Sequence, residues 1–449
     1  MIYILFGLLL LFLFILLCLF KGNVLSPSVI FVSMFIISTL TALLNIENWG
    51  FSLNPITVFV ITSVCVVFAF GEVIARMVYF KSYKRKQKVI IPIQPTKLKK
   101  KPMIILGLCL ICLFFYYYLE NMRLARLAGW NGQNGLMFNF ARQASLRPDI
   151  YGYMSRVAGY AKLISGVVAY IFSYYFFYDF IFFKKIRYSY LFLVATYFPY
   201  ILFATGRTTI IFLICFWIVV GSCLYMQKKN WKPYYYYRIV FFGILGLFLF
   251  FLLFTLVGSL KSSNIMENAI YYISFYTGLS IPSLDEYLLR PRLLGGKFGE
   301  HTLTGVYHIL HKLKLSDMLL YPHYDFVSFN GVKGNVYTMI RRYHEDFGYF
   351  GLYALTVFLG FFYGFLFQKV KNKRGISLIL YGMIFYPVVM VAIDDQFFLS
   401  LFSHTTLYWI FFLTILYKFL PQNSHCSLNL FFKYHIVNDT LSNSKNCKD

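Results

Sequence analysis

A cluster of five ionisable residues lies just before the apolar stretch that begins at Phe347. Its members are Arg341, Arg342, His344, Glu345 and Asp346, and they end the long polar interval of the chain. Histidine and carboxylate side chains serve as general bases, while arginine binds phosphate oxygens through its planar set of N–H donors. Charges of both signs at the start of a membrane segment are costly unless they are solvated, paired or used. We therefore predict that this cluster forms one wall of an active site.

The roles within the cluster stay open at this stage. His344, Glu345 and Asp346 are the catalytic candidates, because each could take a proton from a substrate hydroxyl. The two carboxylates could instead pair with Arg341 and Arg342, which lie one helical turn earlier. Both interpretations require a helix through these positions, so the choice between them depends on which groups the fold brings close.

Arg207 stands in the sequence TGRTT between two apolar stretches, with only a short turn to expose it. Its side chain could extend harmlessly to the membrane surface. Alternatively, the guanidinium lies at the depth of lipid head groups and binds the phosphates of a lipid diphosphate. The polar loops hold further cations, among them Arg147 and Arg290. Each could simply be solvated, but together they indicate an anionic ligand.

No metal or other cofactor is predicted. Three histidines share one face of a predicted helix, namely His301, His308 and His311. No carboxylate completes this set at a useful spacing. The chain also lacks an Asp-x-Asp pair and the phosphate-binding pattern G-x-x-x-x-G-K-[ST]. His323 is an alternative base, and Asp394 and Asp395, at the end of a later apolar stretch, could contribute a carboxylate.

The composition defines a membrane protein. Hydrophobic residues make up 59% of the 449 positions and charged residues only 13%, against roughly 25% charged residues in a soluble domain. The formal net charge of +25 would suggest nucleic acid as the partner of a soluble protein. Here the basic residues lie mostly in short loops between apolar stretches, which is typical of membrane topology. A nucleic-acid partner is therefore not predicted.

The apolar stretches predict eleven membrane spans. They lie near residues 2–20, 27–44, 56–80, 103–119, 157–181, 188–205, 208–226, 239–257, 347–368, 376–393 and 398–420. The interval from Lys81 to Pro102 holds nine Lys or Arg residues and no acid, so we place it in the cytoplasm. Counting from there puts three more basic loops on the same side. The N-terminus is then outside and the C-terminus cytoplasmic.

These spans divide the chain into four parts. Residues 1–257 form a bundle of eight spans with an outer loop at 120–156, and residues 258–346 form one long outer loop. Residues 347–420 hold the last three spans, and residues 421–449 form a polar cytoplasmic tail. Within the long loop, residues 270–284 and 301–313 predict short interfacial helices, the first ending at Pro282. The predicted fold is an all-α polytopic membrane protein.

This layout resembles the Wzy-type oligosaccharide repeat-unit polymerases, which make bacterial O-antigen and capsule chains. The similarity lies in the outward TGRTT turn, the long outer loop and the sequence NVYTMIRRYHEDFGYFG at the start of the next span. The aromatic sequence YYISFYTGLSIPSLDEYL also resembles a region early in the long loop of those proteins. The matching residues are Gly206, Arg207, Asn335, Tyr337, Thr338, Asp346 and Gly348.

The resemblance implies a metal-independent glycosyltransferase of the cytoplasmic (inner) membrane. Its donor is a growing glycan on undecaprenyl diphosphate, and its acceptor is a single repeat unit on the same lipid. An acceptor hydroxyl attacks the anomeric carbon of the donor, and undecaprenyl diphosphate leaves. Arg207 with Arg341 or Arg342 would bind the diphosphate, and His344 or Asp346 would be the base. The other implied substrate-binding residues are Arg147, Arg290, Asn335, Tyr337 and Thr338.

Two alternatives share the membrane layout. An O-antigen ligase would transfer finished chains to a lipid A core. A flippase or transporter of lipid-linked oligosaccharides would need no chemistry, but it should contain internal repeats and ionisable residues deep in its spans. We find no internal repeat in the sequence. For the polymerase, the partners are the lipid bilayer and the lipid-linked glycans, with a chain-length regulator and a flippase as candidate protein partners.

Overall fold

The computed structural model describes residues 1–83, 95, 98, 100–204, 207–246, 274–290, 297–318, 320 and 326–420, with only the backbone of residues 82, 83, 204, 207 and 208. Within these ranges, seven helices are long and apolar enough to cross a membrane. They are Ile2–Leu19, Pro27–Leu44, Pro55–Lys81, Lys100–Leu127, Arg156–Phe183, Thr209–Lys228 and Met339–Val370. The prediction of a helical multi-pass membrane protein is confirmed at this level.

The α-helices whose two ends both lie within the described residues are, in chain order, α1 (Ile2–Leu19), α2 (Pro27–Leu44), α3 (Ile46–Trp49), α4 (Pro55–Tyr83), α5 (Lys100–Leu127), α6 (Met137–Leu146), α7 (Pro148–Tyr151), α8 (Arg156–Phe183), α9 (Tyr188–Ala195), α10 (Tyr197–Ala204), α11 (Arg207–Lys228), α12 (Ser280–Leu289), α13 (Thr304–Lys312), α14 (Met339–Val370), α15 (Ile376–Ile384), α16 (Tyr386–Met390) and α17 (His404–Phe419). A 3-10 helix covers Pro233–Tyr235. A π-helical turn covers Phe397–Leu401. Strands β1 (Val327–Phe329) and β2 (Val332–Gly334) form an antiparallel hairpin.

Two predicted spans are broken helices in the structure. The span at 188–205 is split into α9 and α10, and the span at 376–393 into α15 and α16. A proline ring clashes with the carbonyl four residues earlier, and this places the breaks beside Pro199 and Pro387. The span at 398–420 corresponds to the π-helical turn followed by α17. Because the span at 239–257 extends beyond the described residues, the total of eleven stays a prediction.

Helices α4 and α14 make the most extensive helix pair of the described fold. Glycines let the two backbones approach: an added Cβ at Gly71 or Gly360 would overlap a backbone carbonyl of the partner helix. A Cβ at Gly364 would lie 2.8 Å from Glu72 Cγ. Gly360 and Gly364 form the small-x-x-x-small pattern that allows close helix packing in membranes. This pair therefore holds the apolar part of α14, which follows the predicted cluster, against the bundle.

The two ends of the bundle differ in what they gather. At one end two of the predicted basic loops meet, because Gln227 Nε2 donates to Lys373 O over 2.8 Å and Trp231 Nε1 donates to Lys371 O over 3.0 Å. At the other end the described parts of the long loop pack on the bundle. Asp285 there accepts hydrogen bonds from Asn54 N at 2.9 Å. Which side of the membrane each end of the bundle faces stays a prediction.

The long loop contains helices, but their bounds differ from the prediction. The segment expected to end at Pro282 instead continues as α12 to Leu289. Pro282 lies in the first turn of α12, where a missing N–H costs nothing because that turn has no intrahelical acceptor for it. The carboxylate of Asp285 on this helix lies at the start of α4 and accepts from Thr57 Oγ1 at 2.5 Å. The loop is thereby fixed to the bundle.

Candidate functional site

The predicted cluster occupies the first turns of α14. Thr338 caps this helix, since its Oγ1 accepts a hydrogen bond from Ile340 N at 3.2 Å. The helix is interrupted at Gly348, which has φ 63° and ψ −167°. This positive φ favours glycine, and it separates the polar first turns from the apolar remainder of the helix. The cluster therefore lies on a short helical segment of its own, at the end of the bundle that holds the long loop.

Arg342 is buried and makes contacts with two other segments. Its Nε donates to Asp394 Oδ1 at 2.6 Å and its Nη2 donates to Asp394 Oδ2 at 2.8 Å. Its Nη1 donates to the carbonyl oxygen of His301 at 3.0 Å. Paired donation of this kind is the strongest arrangement for an arginine and a carboxylate. Arg342 therefore connects three segments. These are α14 itself, the long loop, and the turn that precedes the π-helical segment.

Arg341 is also buried, between two tyrosine rings. Its guanidinium carbon lies 4.0 Å from the ring centroid of Tyr337 and 5.0 Å from that of Tyr287. Its Nε donates to Glu345 Oε2 at 3.1 Å, which is the pairing one helical turn apart that the sequence left open. Glu345 Oε1 also lies 3.7 Å from His301 Nε2. Aromatic faces and a carboxylate thus offset the cost of burying this charge.

His344 is the partly exposed base candidate of the cluster. Its Nδ1 lies 2.9 Å from the hydroxyl oxygen of Tyr287, and its ring packs edge-to-face against Tyr349 at 4.4 Å between centroids. Burial raises the pKa of Tyr287, so this hydroxyl stays protonated at neutral pH. When Nδ1–H donates to the Tyr287 oxygen, the lone pair of Nε2 is available to accept a proton. This geometry suits a general base.

Asp346 has a different environment from the one predicted by pairing along the helix. Its Oδ2 accepts from Thr302 N at 2.6 Å, and both oxygens accept from His301 N at 3.1 Å. Arg342, the partner expected from helical spacing, pairs with Asp394 instead. Backbone N–H groups of the loop reach Asp346 and satisfy its carboxylate. Asp346 therefore anchors the loop to α14.

Asp395 is the most buried carboxylate near the cluster, with 2% of its surface exposed. Its Oδ1 accepts from the Tyr343 hydroxyl at 2.8 Å and from Phe397 N at 3.0 Å. Burial raises the pKa of Asp395 to about 6, and this effect outweighs the hydrogen bond from Tyr343 and the charge of Arg342. The group therefore titrates close to neutral pH.

The start of α11, at Arg207, lies at the same end of the bundle as this cluster. Ile211, one turn further along α11, packs in the same apolar group as Ile393, which precedes Asp394. The backbone of Arg207 is thus placed close to the level of the Arg342–Asp394 pair. Its side chain is outside the described atoms, so its contact with a phosphate stays a prediction.

The remaining predicted residues lie at the edge of the cluster or away from it. Asn335 is exposed, and Thr338 uses its hydroxyl as a helix cap. Arg290, with a side chain 85% exposed, lies 3.9 Å from Glu286 at the end of α12. Arg147 is exposed between α6 and α7. Only Tyr337 among the predicted uncharged contacts touches a charged group of the cluster.

Distant parts of the chain contribute to the cluster, and three of the side chains that they bring are those of Tyr287, Asp394 and His301. Tyr287 was not predicted as a site residue, Asp394 only as an additional carboxylate, and His301 only as a metal ligand. The aromatic sequence around Tyr287 and the paired acids at Asp394 were visible signals, but spacing alone does not say which loop meets which helix. Within the described residues, no group of three or more His, Cys, Asp or Glu side chains is placed to hold a metal ion.

The fold and the cluster define a multi-pass helical membrane protein with an ordered group of charged and aromatic side chains at one end of its bundle. Comparison with protein-family models, with curated proteins and with solved structures finds no match for this chain.

Proposed function

We propose that the protein is a membrane glycosyltransferase that polymerises oligosaccharide repeat units carried on undecaprenyl diphosphate, in the manner of the Wzy-type polymerases that the sequence resembles. In this proposal the chain has eleven spans. Its N-terminus and its long loop lie on the outer side of the cytoplasmic membrane. The product is an O-antigen or capsular polysaccharide. The observation that carries the proposal is the placement of His344, Glu345 and the buried arginines where the polar segment of α14 meets its apolar part at Gly348.

The arrangement can supply the parts that such a transfer needs. Nε2 of His344 accepts the proton of the acceptor hydroxyl as that oxygen attacks the anomeric carbon. The bond between that carbon and the diphosphate oxygen breaks, and the lipid diphosphate leaves with both electrons. Cations placed close to the leaving diphosphate stabilise its developing charge. Arg341 supplies positive potential to this site, and Arg207 at the start of α11 is the direct phosphate contact.

Arg341 and Arg342 have different roles in this scheme. Each of the three guanidinium nitrogens of Arg342 donates one hydrogen bond. Nε and Nη2 donate to Asp394, and Nη1 donates to the His301 carbonyl. A phosphate bound to Arg342 would therefore share these nitrogens with Asp394 and the His301 carbonyl, since only the second N–H of Nη1 and of Nη2 remains beyond these contacts. We therefore assign Arg342 to positioning the loop, and Arg341 to the electrostatics of the site.

The decisive experiment is a reconstituted reaction. The purified protein in lipid vesicles receives a synthetic repeat unit on a polyprenyl diphosphate, and the products are separated by size. A ladder of products differing by one repeat unit is expected, with loss of the ladder for His344→Ala. Extension that occurs only when a lipid A core is added would identify a ligase. Movement of the substrate across the vesicle without any covalent extension would identify a transporter and refute the proposal.

A further inference from the structure

A second group of cations lies at the loop end of the bundle, apart from the α14 cluster. Lys162 lies in α8, between one and two turns after Arg156, where the helix begins. It is partly buried, and among the described residues it has no carboxylate and no hydrogen-bond acceptor as a partner. An ammonium group in a membrane bundle is costly without a counter-charge. Lys162 therefore occupies a place that an anion would stabilise.

The helix register puts Lys162 level with the first turn of α11. The rings of Tyr170 and Phe216 are 4.5 Å apart, and Trp217 Nε1 donates to Ser173 Oγ at 2.8 Å, so α8 and α11 run in the same direction. Eight residues back from Tyr170 is Lys162, and eight back from Phe216 is the second residue of α11. Helix N-termini favour negative charge. The first turn of α11 thus adds to the positive potential around Lys162.

Further cations border the same place. Desolvation, and then the nearby positive charge of Arg156, lower the pKa of the Lys312 ammonium at the end of α13. Tyr160, on α8, contacts the ring of Tyr408 on α17 at 5.9 Å between centroids. This contact sets the starts of α8 and α17 side by side. Arg156 thus lies close to Lys312 at the start of α8, and Lys162 follows Arg156 by less than two turns of the same helix.

This group differs from the α14 cluster in its charge balance. There, Arg341 and Arg342 are matched by Glu345 and Asp394. In the described ranges of the chain, Arg156, Lys162 and Lys312 make no ion pair with a carboxylate. Positive side chains gathered at one end of a bundle without acids attract anions such as phosphate.

We propose that Lys162, with Arg156 and Lys312, binds the phosphate groups of a lipid substrate at the mouth formed by α8, α11 and α17. The binding of phosphate there does not require the proposed function. Its assignment to a lipid diphosphate of a polymerase does rest on that function. Polymerisation joins two lipid-linked molecules, so two phosphate positions are needed. This mouth provides one of them, beside the cluster where the sugars react.

The test measures binding by the full-length protein in nanodiscs of neutral lipid. The probes are farnesyl diphosphate, inorganic pyrophosphate and farnesol. The variants are Lys162→Met, which keeps the length of the side chain without its charge, Lys162→Arg, and Lys333→Met as a control at an exposed lysine of β2. Lys312→Gln, at an exposed position, is a second variant that does not disturb the bundle.

The affinity for farnesyl diphosphate should fall about tenfold in Lys162→Met and less in Lys312→Gln, because each loses a charged contact. Lys162→Arg should retain most of the affinity, and Lys333→Met all of it. The ligand-free thermal midpoint of Lys162→Met should not fall, because an unmatched charge is removed. Equal affinity for pyrophosphate would assign the site to free phosphate instead of a lipid head group.

Unchanged affinity in Lys162→Met, or equal binding of farnesol, would overturn the proposal. So would a wild-type protein that binds neither phosphate compound. If binding depends on Lys162 but no repeat units are joined in the reconstituted reaction, the phosphate site stands and the polymerase function fails. If units are joined and Lys162→Met changes neither binding nor rate, only the site fails.

Discussion

Arg342 and Asp394 form a two-point ion pair, with N···O distances of 2.6 and 2.8 Å. The pair joins residues 52 positions apart in the chain. The third contact of Arg342, to the carbonyl of His301, adds the long loop to the same junction. Because the guanidinium is planar and its donors are fixed in direction, this one side chain sets the relative positions of three segments. The site geometry therefore depends on Arg342 before any substrate binds.

Removal of Arg342 should destabilise the protein. Arg342→Ala leaves the partly buried Asp394 and the His301 carbonyl without their donor, which for a buried pair costs about 3–5 kcal/mol. Because the Asp394 side chain keeps 24% exposure, the lower end is expected. The measurement is the unfolding of detergent-solubilised protein by denaturant. Arg290→Ala, at an exposed arginine 3.9 Å from its acid, is the control and should change stability little. Equal effects in both variants would contradict the role given to Arg342.

His344 should be required for catalysis and Tyr287 should assist it. Loss of a general base lowers rates by about 10²–10⁴, and we expect this for His344→Ala in the reconstituted reaction. Tyr287→Phe removes only the hydrogen bond that orients the ring, so a loss of about tenfold is expected. His311→Ala, at a histidine whose Nδ1 contacts Ser316 O, should leave the rate unchanged. A His344→Ala enzyme with more than half of the wild-type rate would exclude the base.

Asp346 should act through the loop and not through proton transfer. Asp346→Asn keeps one oxygen that can accept from Thr302 N but loses the other acceptor and the charge. We expect faster hydrogen exchange at the amides of His301 and Thr302, with a partial loss of rate. A base would behave differently, since its replacement by an amide should abolish the rate and leave those amides protected. Hydrogen exchange and rate measured on the same preparation separate the two cases.

The sequence was sufficient for the membrane class, which follows from the apolar stretches. Helical spacing also allowed the pairing of Arg341 with Glu345, but only as one of two alternatives. It was not sufficient for the partners of Arg342 and Asp346. Arg342 pairs with Asp394, and Asp346 accepts from the backbone of residues 301 and 302. Helical spacing contains no information on such distant groups. The breaks beside Pro199 and Pro387 were readable from proline chemistry, although composition alone gave single spans there.

Asp395 should make the stability depend on pH. Its pKa of about 6 lies above the ordinary value of 3.8, so the folded protein holds this proton more tightly than the unfolded chain. The stabilisation is complete below the unfolded pKa and is lost as the pH rises through about 6. A folded pKa that lies about two pH units above the unfolded pKa corresponds to about 3 kcal/mol of stability.

The thermal midpoint, followed from about pH 4 to about pH 7 across this pKa, should therefore fall more in the wild type than in Asp395→Asn. The amide does not titrate, so the variant removes this contribution whatever its own stability is. Asp149→Asn, at an exposed acid of α7, is the matched control and should keep the wild-type slope. Parallel profiles for wild type and Asp395→Asn would show that Asp395 does not titrate in this range.

The close packing of α4 on α14 should be sensitive to a single methyl group. A Cβ at Gly360 would overlap the carbonyl of Phe68 on the partner helix, and backbone cannot move aside as a flexible side chain can. Overpacking of this kind costs about 1–3 kcal/mol or more, so Gly360→Ala should lower the thermal midpoint. Gly7→Ala, at a helical glycine whose Cβ would meet no atom within 4 Å, should be neutral or stabilising because alanine favours helix. Since α14 carries the cluster, Gly360→Ala should also lower the rate of chain extension. If Gly360→Ala keeps both the wild-type stability and the wild-type rate, α4 and α14 do not pack closely enough for a Cβ at this position to overlap the Phe68 carbonyl.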